Sequence, residues 1–540
     1  MSAPRSGWLA RATAHDPAGV LARWGFVAVP TLLALVLGAV DLDSRSIWLD
    51  EAATASITAQ HGAALGSAMA RDGGNMLGYY ALVHVLVGWF GSSLVVLRLP
   101  SVIGAVATTA LVVVLARRWF SRRVAFVAGL FSAVSLPAVY WAQNARSYAL
   151  MMAFVAASYL SFCALVDKPE GARGGWRAFV AYVVTTTLAL YMSFVAILVI
   201  PAQLVALVGR RRRVRPVVAA VVVVAALCAP LAVLARSRGS GQLFWVPRPN
   251  LAALGPVLVA LSSAGFQPDF HLSATGIFLT VATVAAFAAA LWYVASHLVR
   301  DRSTARVRGE LLVVGWLVVP LVLSFVESLV AEPTFTARNL LVSLPAGAIV
   351  LARVVADRRF GRIAGAGLVA GFVGFRAAQL VPSYGRSPEN WNAVTLRILQ
   401  YAEPRDCVGF YPSDGRMAFL YYLDHFPSIT QYVPRPVLPA TPFSENVPYV
   451  ERYATLPDTS LKRIAASCPR LWLVVSHQGS ATGTATSQRN YRTYLRLAGE
   501  LETFYPSATI YTRGWASPIS IWLYGPLPPA VQGLPTVSDT

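Results

Sequence analysis

Long apolar stretches, set at intervals along the first two thirds of the chain, dominate its pattern of hydrophobic and polar positions. A membrane-crossing helix needs about 20 mostly apolar residues. Segments of that kind fall near 24–42, 98–116, 124–140, 149–166, 178–191, 193–209, 217–234, 274–297, 311–329, 340–356 and 363–381. Basic residues punctuate them unevenly. Arg5, Arg11 and Arg23 precede the first segment, Arg117, Arg118, Arg122 and Arg123 follow the second, and Lys168, Arg173 and Arg177 follow the fourth. Arg210 to Arg213 with Arg215 follow the sixth, Arg300, Arg302, Arg306 and Arg308 the eighth, and Arg358, Arg359 and Arg362 the tenth. Every second loop is basic, as the positive-inside rule requires of a chain that starts in the cytoplasm. Eleven crossings then put residues 382–540 on the outer side. The first segment reads as an uncleaved crossing, because no convincing small-x-small cleavage site precedes Asp41.

From Pro382 the pattern changes. Short β-type runs at Cys407–Tyr411, Leu471–Ser476, Thr509–Thr512 and Ile519–Tyr524 alternate with helical periodicity at Trp391–Tyr401 and Tyr491–Leu501. Such alternation predicts a small α/β domain. The expected architecture is a polytopic α-helical membrane protein: a transmembrane domain over 1–381, with its first outer loop at 43–97, and a small extracytoplasmic α/β domain over 382–540. The Ser/Thr/Gly stretch Gly479–Ser487 reads as one mobile loop. Cys163 and Cys228 fall inside predicted crossings as packing residues. Cys407 and Cys468 each lie at or near the start of a β-type run, and a disulfide between them is expected if the tail is exported.

Composition supports the membrane reading. The 540 residues are 56% hydrophobic and only 13% charged, with mean hydropathy +0.56, whereas a soluble domain carries about 25% charged residues. The net charge is +20, of which +18 lies within 1–381 and +2 in the tail. A basic excess on a soluble protein would suggest nucleic acid; here it sits beside the apolar segments, so it is topological and no nucleic-acid partner is expected. The partner surface is the lipid bilayer of the cell membrane.

Chemistry has to come from the outer loops, since the predicted crossings hold almost no acids and Glu327 lies near an outer end. The acids concentrate in the first outer loop: Asp43, the run Ser46-Ile47-Trp48-Leu49-Asp50-Glu51-Ala52, then Asp72. Arg98, Trp141, Arg146, Tyr148, Trp245, Arg248 and Arg338 occupy other outer positions. Carboxylates beside cations and rings at a membrane surface suit a substrate with an anionic head, a sugar and a lipid tail. An ion-coupled transporter would instead carry carboxylates or broken helices near the bilayer midplane. No Cys/His spacing resembles a zinc site and no Gly-rich phosphate loop follows a strand. Two adjacent acids do not specify a ligand set, so no metal and no organic cofactor is predicted.

At these loops the chain resembles the GT-C membrane glycosyltransferases, in the branch of protein O-mannosyltransferases and bacterial lipid A sugar transferases. Ser46–Ala52 is similar to their first-loop acidic motif, and Leu97–Ser101 to the segment entering the second span. Gln143–Leu150 resembles the aromatic-basic motif after the third span, Phe244–Pro249 the loop after the seventh, and Pro333–Asn339 a late outer loop. Trp391 and the Asp406–Tyr411 strand resemble the start of the soluble tail. The motifs run in order over roughly residues 24–425. One departs: where a Pro-Pro-Leu-Tyr-Tyr segment preceded by His or Lys is common, this chain has Gly74-Asn75-Met76-Leu77-Gly78-Tyr79-Tyr80. His84, one helical turn beyond Tyr80, is the candidate substitute.

The resemblance implies a polyprenyl-phosphate sugar as donor and transfer on the extracytoplasmic side to a glycan, lipid or protein hydroxyl. Asp50 is the candidate general base, with Glu51 the alternate. On a helix the two side chains diverge by about 100°, so both do not act on one atom. Like-charge repulsion is expected to raise the pKa of one of them. The competing reading of the pair is first-turn helix stabilisation. Arg146 and Arg338 are candidates for the donor phosphate, which a planar guanidinium holds by two oxygens; the competing reading is snorkelling to headgroups. Tyr148, Trp245 and Trp48 are candidates to stack on the sugar. An Arg/Ala/Val-rich composition goes with a GC-rich genome, in which lipid-linked mannose or arabinofuranose are natural donors. The alternative function is a transporter or flippase of a lipid-linked saccharide.

Overall fold

A computed structural model of the chain describes residues 17–167, 175–205, 207, 211–238, 246–262, 274–300, 305–356, 362–426, 432–443, 458–505, 508–513 and 519–526. Each apolar segment lies on a helix or on two consecutive helices. The first is α1 (Pro17–Ala39); the loop after it holds α2 (Leu49–Thr58), α3 (Gly62–Arg71) and α4 (Leu77–Phe90). Next come α5 (Leu94–Trp119), the pair α6 (Arg122–Ala133) and α7 (Leu136–Ala142), then α8 (Tyr148–Asp167) and α9 (Gly175–Met192). A 3-10 turn (Phe194–Leu198) leads into α10 (Val199–Val205), followed by the pair α11 (Arg211–Leu227) and α12 (Ala229–Arg238) and by the short α13 (Leu254–Leu261). The last helices of this part are α14 (Ala274–Arg300), α15 (Ala305–Val330), α16 (Leu344–Val355) and α17 (Arg362–Leu380).

Among the described residues, three helices are long and apolar enough to cross a membrane: 94–119, 148–167 and the 308–330 part of α15. The number is five if each of two bent helix pairs, angled by 56° and 48°, counts as one crossing. Trp89, Trp292, Val330 and Ile363 face outward, largely exposed. Water would not tolerate so apolar an exterior, and lipid does. One close approach governs the interior. A Cβ at Gly104 would stand 2.5 Å from the Leu150 nitrogen, so α5 and α8 meet backbone to backbone and only glycine fits between them. That contact draws the start of α5, with Arg98, up to the loop before α8, with Arg146.

Beyond α17 lie α18 (Trp391–Tyr401), α19 (Gly415–His425), α20 (Asp458–Ser467) and α21 (Ala485–Phe504), and five strands. These are β1 (Cys407–Tyr411), β2 (Arg435–Leu438), β3 (Leu471–Val475), β4 (Ala508–Arg513) and β5 (Ile519–Tyr524), in sheet order β2-β1-β3-β5-β4. β1 runs parallel to β2 and β3, while β5 is antiparallel to β3 and β4. The four predicted runs are all strands. β2 escaped the pattern because Pro436 sits inside it, which a strand accepts only at an edge, and β2 is an edge strand. Cys407 and Cys468 are joined by a disulfide across a separation of 61 residues. The stretch Gly479–Ser487 is cross-linked by its own side chains: the Ser487 hydroxyl accepts from Ser480 N at 3.0 Å, and Gln488 Nε2 donates to the Gly483 carbonyl at 2.9 Å.

The tail docks on the segment between α1 and α5. Ile47 N donates to the Tyr422 hydroxyl at 2.8 Å, Asn392 N to Ser46 Oγ at 3.0 Å, and the Tyr421 hydroxyl to the Ser92 carbonyl at 3.0 Å. Beneath these bonds Ile47, Trp391, Val394 and Phe410 share one continuous apolar core with the helices. α2 is thus held between the membrane helices and the tail. Replacing Cys468 with Ser should destabilise the tail by about 4 kcal/mol, the chain-entropy value for so long a loop. The check is a lowered thermal midpoint of the purified protein that added reductant does not lower further.

Candidate functional site

Adjacent acids at the start of α2 have opposite fates. Glu51 turns inward. Its carboxylate receives both Arg98 Nε at 2.8 Å and Nη2 at 2.7 Å, and the backbone N–H of Ala145 at 2.7 Å. Arg98 spends its remaining Nη1 on the carbonyls of Leu42 and Arg45, at 2.7 and 3.2 Å. Both side chains are 1% exposed. This bidentate pair is closed: both carboxylate oxygens and all three guanidinium nitrogens have protein partners, which is what a buried ion pair requires to be tolerated. It ties α2, α5 and the 143–147 loop into one body.

Asp50, about 100° round the same helix, faces outward and is 31% exposed. Two arginines from distant parts of the chain approach it. Arg338, just before α16, brings Nη1 to 3.3 Å of Asp50 Oδ2, and Arg146, just before α8, brings Nη2 to 3.7 Å. Arg146 Nη1 also donates to the Asp50 carbonyl at 3.2 Å, while its Nε is buried with no hydrogen-bond partner among the described residues. The Arg146 backbone is itself fixed, its carbonyl accepting from Ser101 Oγ at 2.9 Å. These contacts are longer than the 2.7–2.9 Å of a tight guanidinium–carboxylate pair. Two cations thus share one carboxylate, at distances longer than a tight pair, and Asp72 also acts on Arg146.

The tail supplies the other side. No side chain caps α2 at Trp48. Instead the Leu49 N–H donates to Glu389 Oε2 at 3.0 Å, so an acid 340 residues away satisfies the first turn of the helix. The same Glu389 oxygen accepts from the Trp391 indole at 2.6 Å, and its other oxygen lies 3.3 Å from His477 Nε2. Burial pushes the Glu389 carboxyl up, against the pull of His477, the Trp391 indole and the Leu49 N–H. Burial also pushes Asp50 up, but Arg146, Arg338 and His477 together outweigh it and hold the carboxyl below its ordinary range. The repulsion expected between adjacent acids does not raise Asp50, because each acid has guanidinium partners of its own.

Of the residues singled out in the sequence, the structure brings together Asp50, Arg146 and Arg338. Glu51 it encloses, away from any approaching substrate. Tyr148 is not placed to stack on a sugar: it is buried, its ring centroid 4.4 Å from that of Trp141. Trp48 is buried too, its indole donating to Asn144 Oδ1 at 2.7 Å. His84 sits at the other end of α2, its Nδ1 2.8 Å from the Thr58 carbonyl and its ring against His61, so it does not join Asp50. The Gly74–Tyr80 departure is filled by packing, with Tyr79 bonded to Ser101 and Tyr80 to Asp72. Trp245 lies outside the described residues. No group of three or more His, Cys, Asp or Glu among the described residues could hold a metal. Sequence reasoning passed over Glu389 and His477. The available signal was an acid two residues before Trp391, directly after the last apolar segment.

Residues 77–235 match the sequence family described as dolichyl-phosphate-mannose-protein mannosyltransferase. That segment includes Arg98 and Arg146 but neither Asp50 nor Arg338. Among solved structures the chain is similar to ArnT from Cupriavidus metallidurans in the apo state, at TM-score 0.55 and 15% identity, over 93% of this chain and 98% of that one. ArnT bound to undecaprenyl phosphate matches at TM-score 0.53 and 14% identity, over 92% and 98%. The oligosaccharyltransferase of Archaeoglobus fulgidus matches at TM-score 0.51 and 13% identity, over 90% of this chain and 72% of that one. No curated protein sequence matches the chain. The resemblance to the GT-C glycosyltransferases that the loop motifs carry is upheld by the family match and by the shared fold.

The two acids should part company in stability. Glu51→Gln leaves Arg98 buried without its counter-charge and should cost about 3–5 kcal/mol. Asp50→Asn, at a partly exposed cluster, should change stability by less than about 1 kcal/mol. Thermal unfolding of the two purified variants checks this.

Proposed function

We propose that this protein is an integral membrane glycosyltransferase that moves a sugar from a polyprenyl-phosphate donor to a hydroxyl of an envelope acceptor on the extracytoplasmic side. The observation that carries the reading is the sharing of one partly exposed carboxylate, Asp50, between two arginines from distant parts of the chain. The family match at 77–235 and a fold shared with a protein solved with undecaprenyl phosphate support it. Eleven crossings, an N-terminus in the cytoplasm and a tail outside follow from the alternation of basic loops. On that topology α2 and the tail meet at the outer membrane surface, where a lipid-linked donor presents its head.

The donor phosphate competes with Asp50 for Arg146 and Arg338, each able to give two parallel N–H bonds to phosphate oxygens. As those cations turn to the phosphate, Asp50 loses the charges that hold it ionised and becomes a stronger base. The acceptor oxygen then attacks the anomeric carbon, the bond from that carbon to the phosphate oxygen breaks, and the lipid phosphate leaves with the electron pair. The acceptor proton passes to Asp50. The arginines neutralise the charge that develops on the leaving group. Sugar identity, mannosyl or arabinofuranosyl among the candidates, is set where the sugar ring lies. For the alternative of a flippase, a buried acid on a crossing helix would have to serve the cargo. The buried acid near the start of α15, Glu310, is instead closed by Arg353 at 3.1 Å.

Asp50→Asn should lower turnover by about 10²–10⁴, the usual cost of losing a general base, measured with a panel of radiolabelled polyprenyl-phosphate sugars. Turnover near the unaltered level would reject Asp50 as the base. The pH dependence has a definite sign. Asp50 works ionised, so activity falls as the pH drops through its pKa. The acidic limb of kcat/KM, which reports the free enzyme, should lie below about pH 4, the ordinary carboxylate value. That of kcat, with the arginines on phosphate, should lie higher; coincident limbs would contradict the competition. For topology, a reporter active only in the cytoplasm and fused after Thr540 should stay silent.

A further inference from the structure

Glu389 and His477 are the one pair in the site that comes from the tail. Glu389 is 1% exposed and joins three things: the first N–H of the helix that carries Asp50, the Trp391 indole and the His477 ring. His477 stands just past the carboxyl end of β3, in the left-handed backbone region at φ 47°. The crevice outside the carboxyl ends of parallel strands is where α/β sheets bind ligands, and β1 and β3 are parallel neighbours. A side chain with a β-carbon takes that backbone conformation only when its surroundings hold it there. The ring is 35% exposed, so it opens on solvent as Asp50 does, while the carboxylate holding it is sealed.

We propose that His477, fixed by buried Glu389, is the acceptor-side positioning residue of the transfer site, bringing the acceptor hydroxyl to Asp50. This rests on the reading of Asp50 as the base. The division of labour follows from chemistry. Guanidinium groups only donate, which suits an anionic phosphate; an imidazole donates or accepts, which suits a neutral hydroxyl. The acids that interact with the ring are Glu389 before α18, 3.3 Å from Nε2, and Asp50 on α2. The tail is therefore part of the catalytic site, and the acceptor enters between the end of β3 and the start of α2.

The test uses the full-length protein with His477→Asn and His477→Ala. Asn tolerates the left-handed backbone that Ala strains, so a defect shared by both is not a folding defect. Both variants should raise the acceptor KM or lower kcat by on the order of tenfold, leave donor affinity unchanged, and move the acidic limb of kcat upward because one of the groups that hold the Asp50 carboxyl down is gone. An acceptor KM, kcat and pH profile equal to those of the unaltered protein in both variants would overturn the proposal. So would a parallel fall in donor affinity and thermal midpoint, which marks a merely structural role. The two readings fail separately. If Asp50→Asn is inactive and the His477 variants behave normally, only the acceptor-side role falls. If Asp50→Asn transfers normally, the base assignment falls whatever His477 does.

Discussion

The closed pair of Arg98 and Glu51 is the constraint on which the rest of the site depends. A carboxylate sealed from water is tolerated only when its charge and lone pairs are met, and Arg98 with the Ala145 N–H meets them. In doing so it fixes the rotation of α2. Because neighbouring residues on a helix point about 100° apart, locking Glu51 inward forces Asp50 outward. The strongest electrostatic contact in the site thus serves geometry, and the weaker ones beside it are left for chemistry. The contrast of 2.7 Å at Glu51 with 3.3 and 3.7 Å at Asp50 is that division expressed in distances.

Four separate chain segments meet around Asp50: the loop before α8, the loop before α16, the stretch before α18 and the turn after β3. Helix packing delivers the first, since α5 and α8 close on Gly104. Docking of the tail delivers the last two, through Ile47, Ser46 and the shared apolar core. Neither the membrane helices nor the tail holds the whole site. In a cluster assembled this way the cations are in place before any substrate arrives, the condition that the proposed transfer requires for stabilising developing charge.

Much of the fold was legible because membrane helices announce themselves by length and apolarity, and each of the apolar segments indeed lies on helix. Four of five strands showed as β-type runs; β2 did not, since Arg435 and Pro436 mask it. At the site, Asp50, Arg146 and Arg338 were legible as charges in loops that resemble a known pattern. The sequence could not say which of two adjacent acids faces inward, because that depends on Arg98, 47 residues on. Nor could it distinguish Tyr148 as a buried neighbour of Trp141 from a stacking platform, since both uses want an aromatic near an interface. Glu389 and His477 were illegible for a different reason. Their role comes from a helix cap and a carboxylate–imidazole contact made across 340 and 88 residues of chain respectively, and no local pattern encodes either.

The central claim is that Asp50 and a lipid phosphate compete for the same two arginines, and one binding measurement addresses it. The affinity of a polyprenyl monophosphate for the purified protein should be compared with its affinity for Asp50→Asn. Removing the competing charge should tighten binding by about 5–30-fold, equivalent to ~1–2 kcal/mol of relieved competition. Binding that is unchanged or weaker in Asp50→Asn would contradict the account, because the arginines at Asp50 would then not be the phosphate's partners.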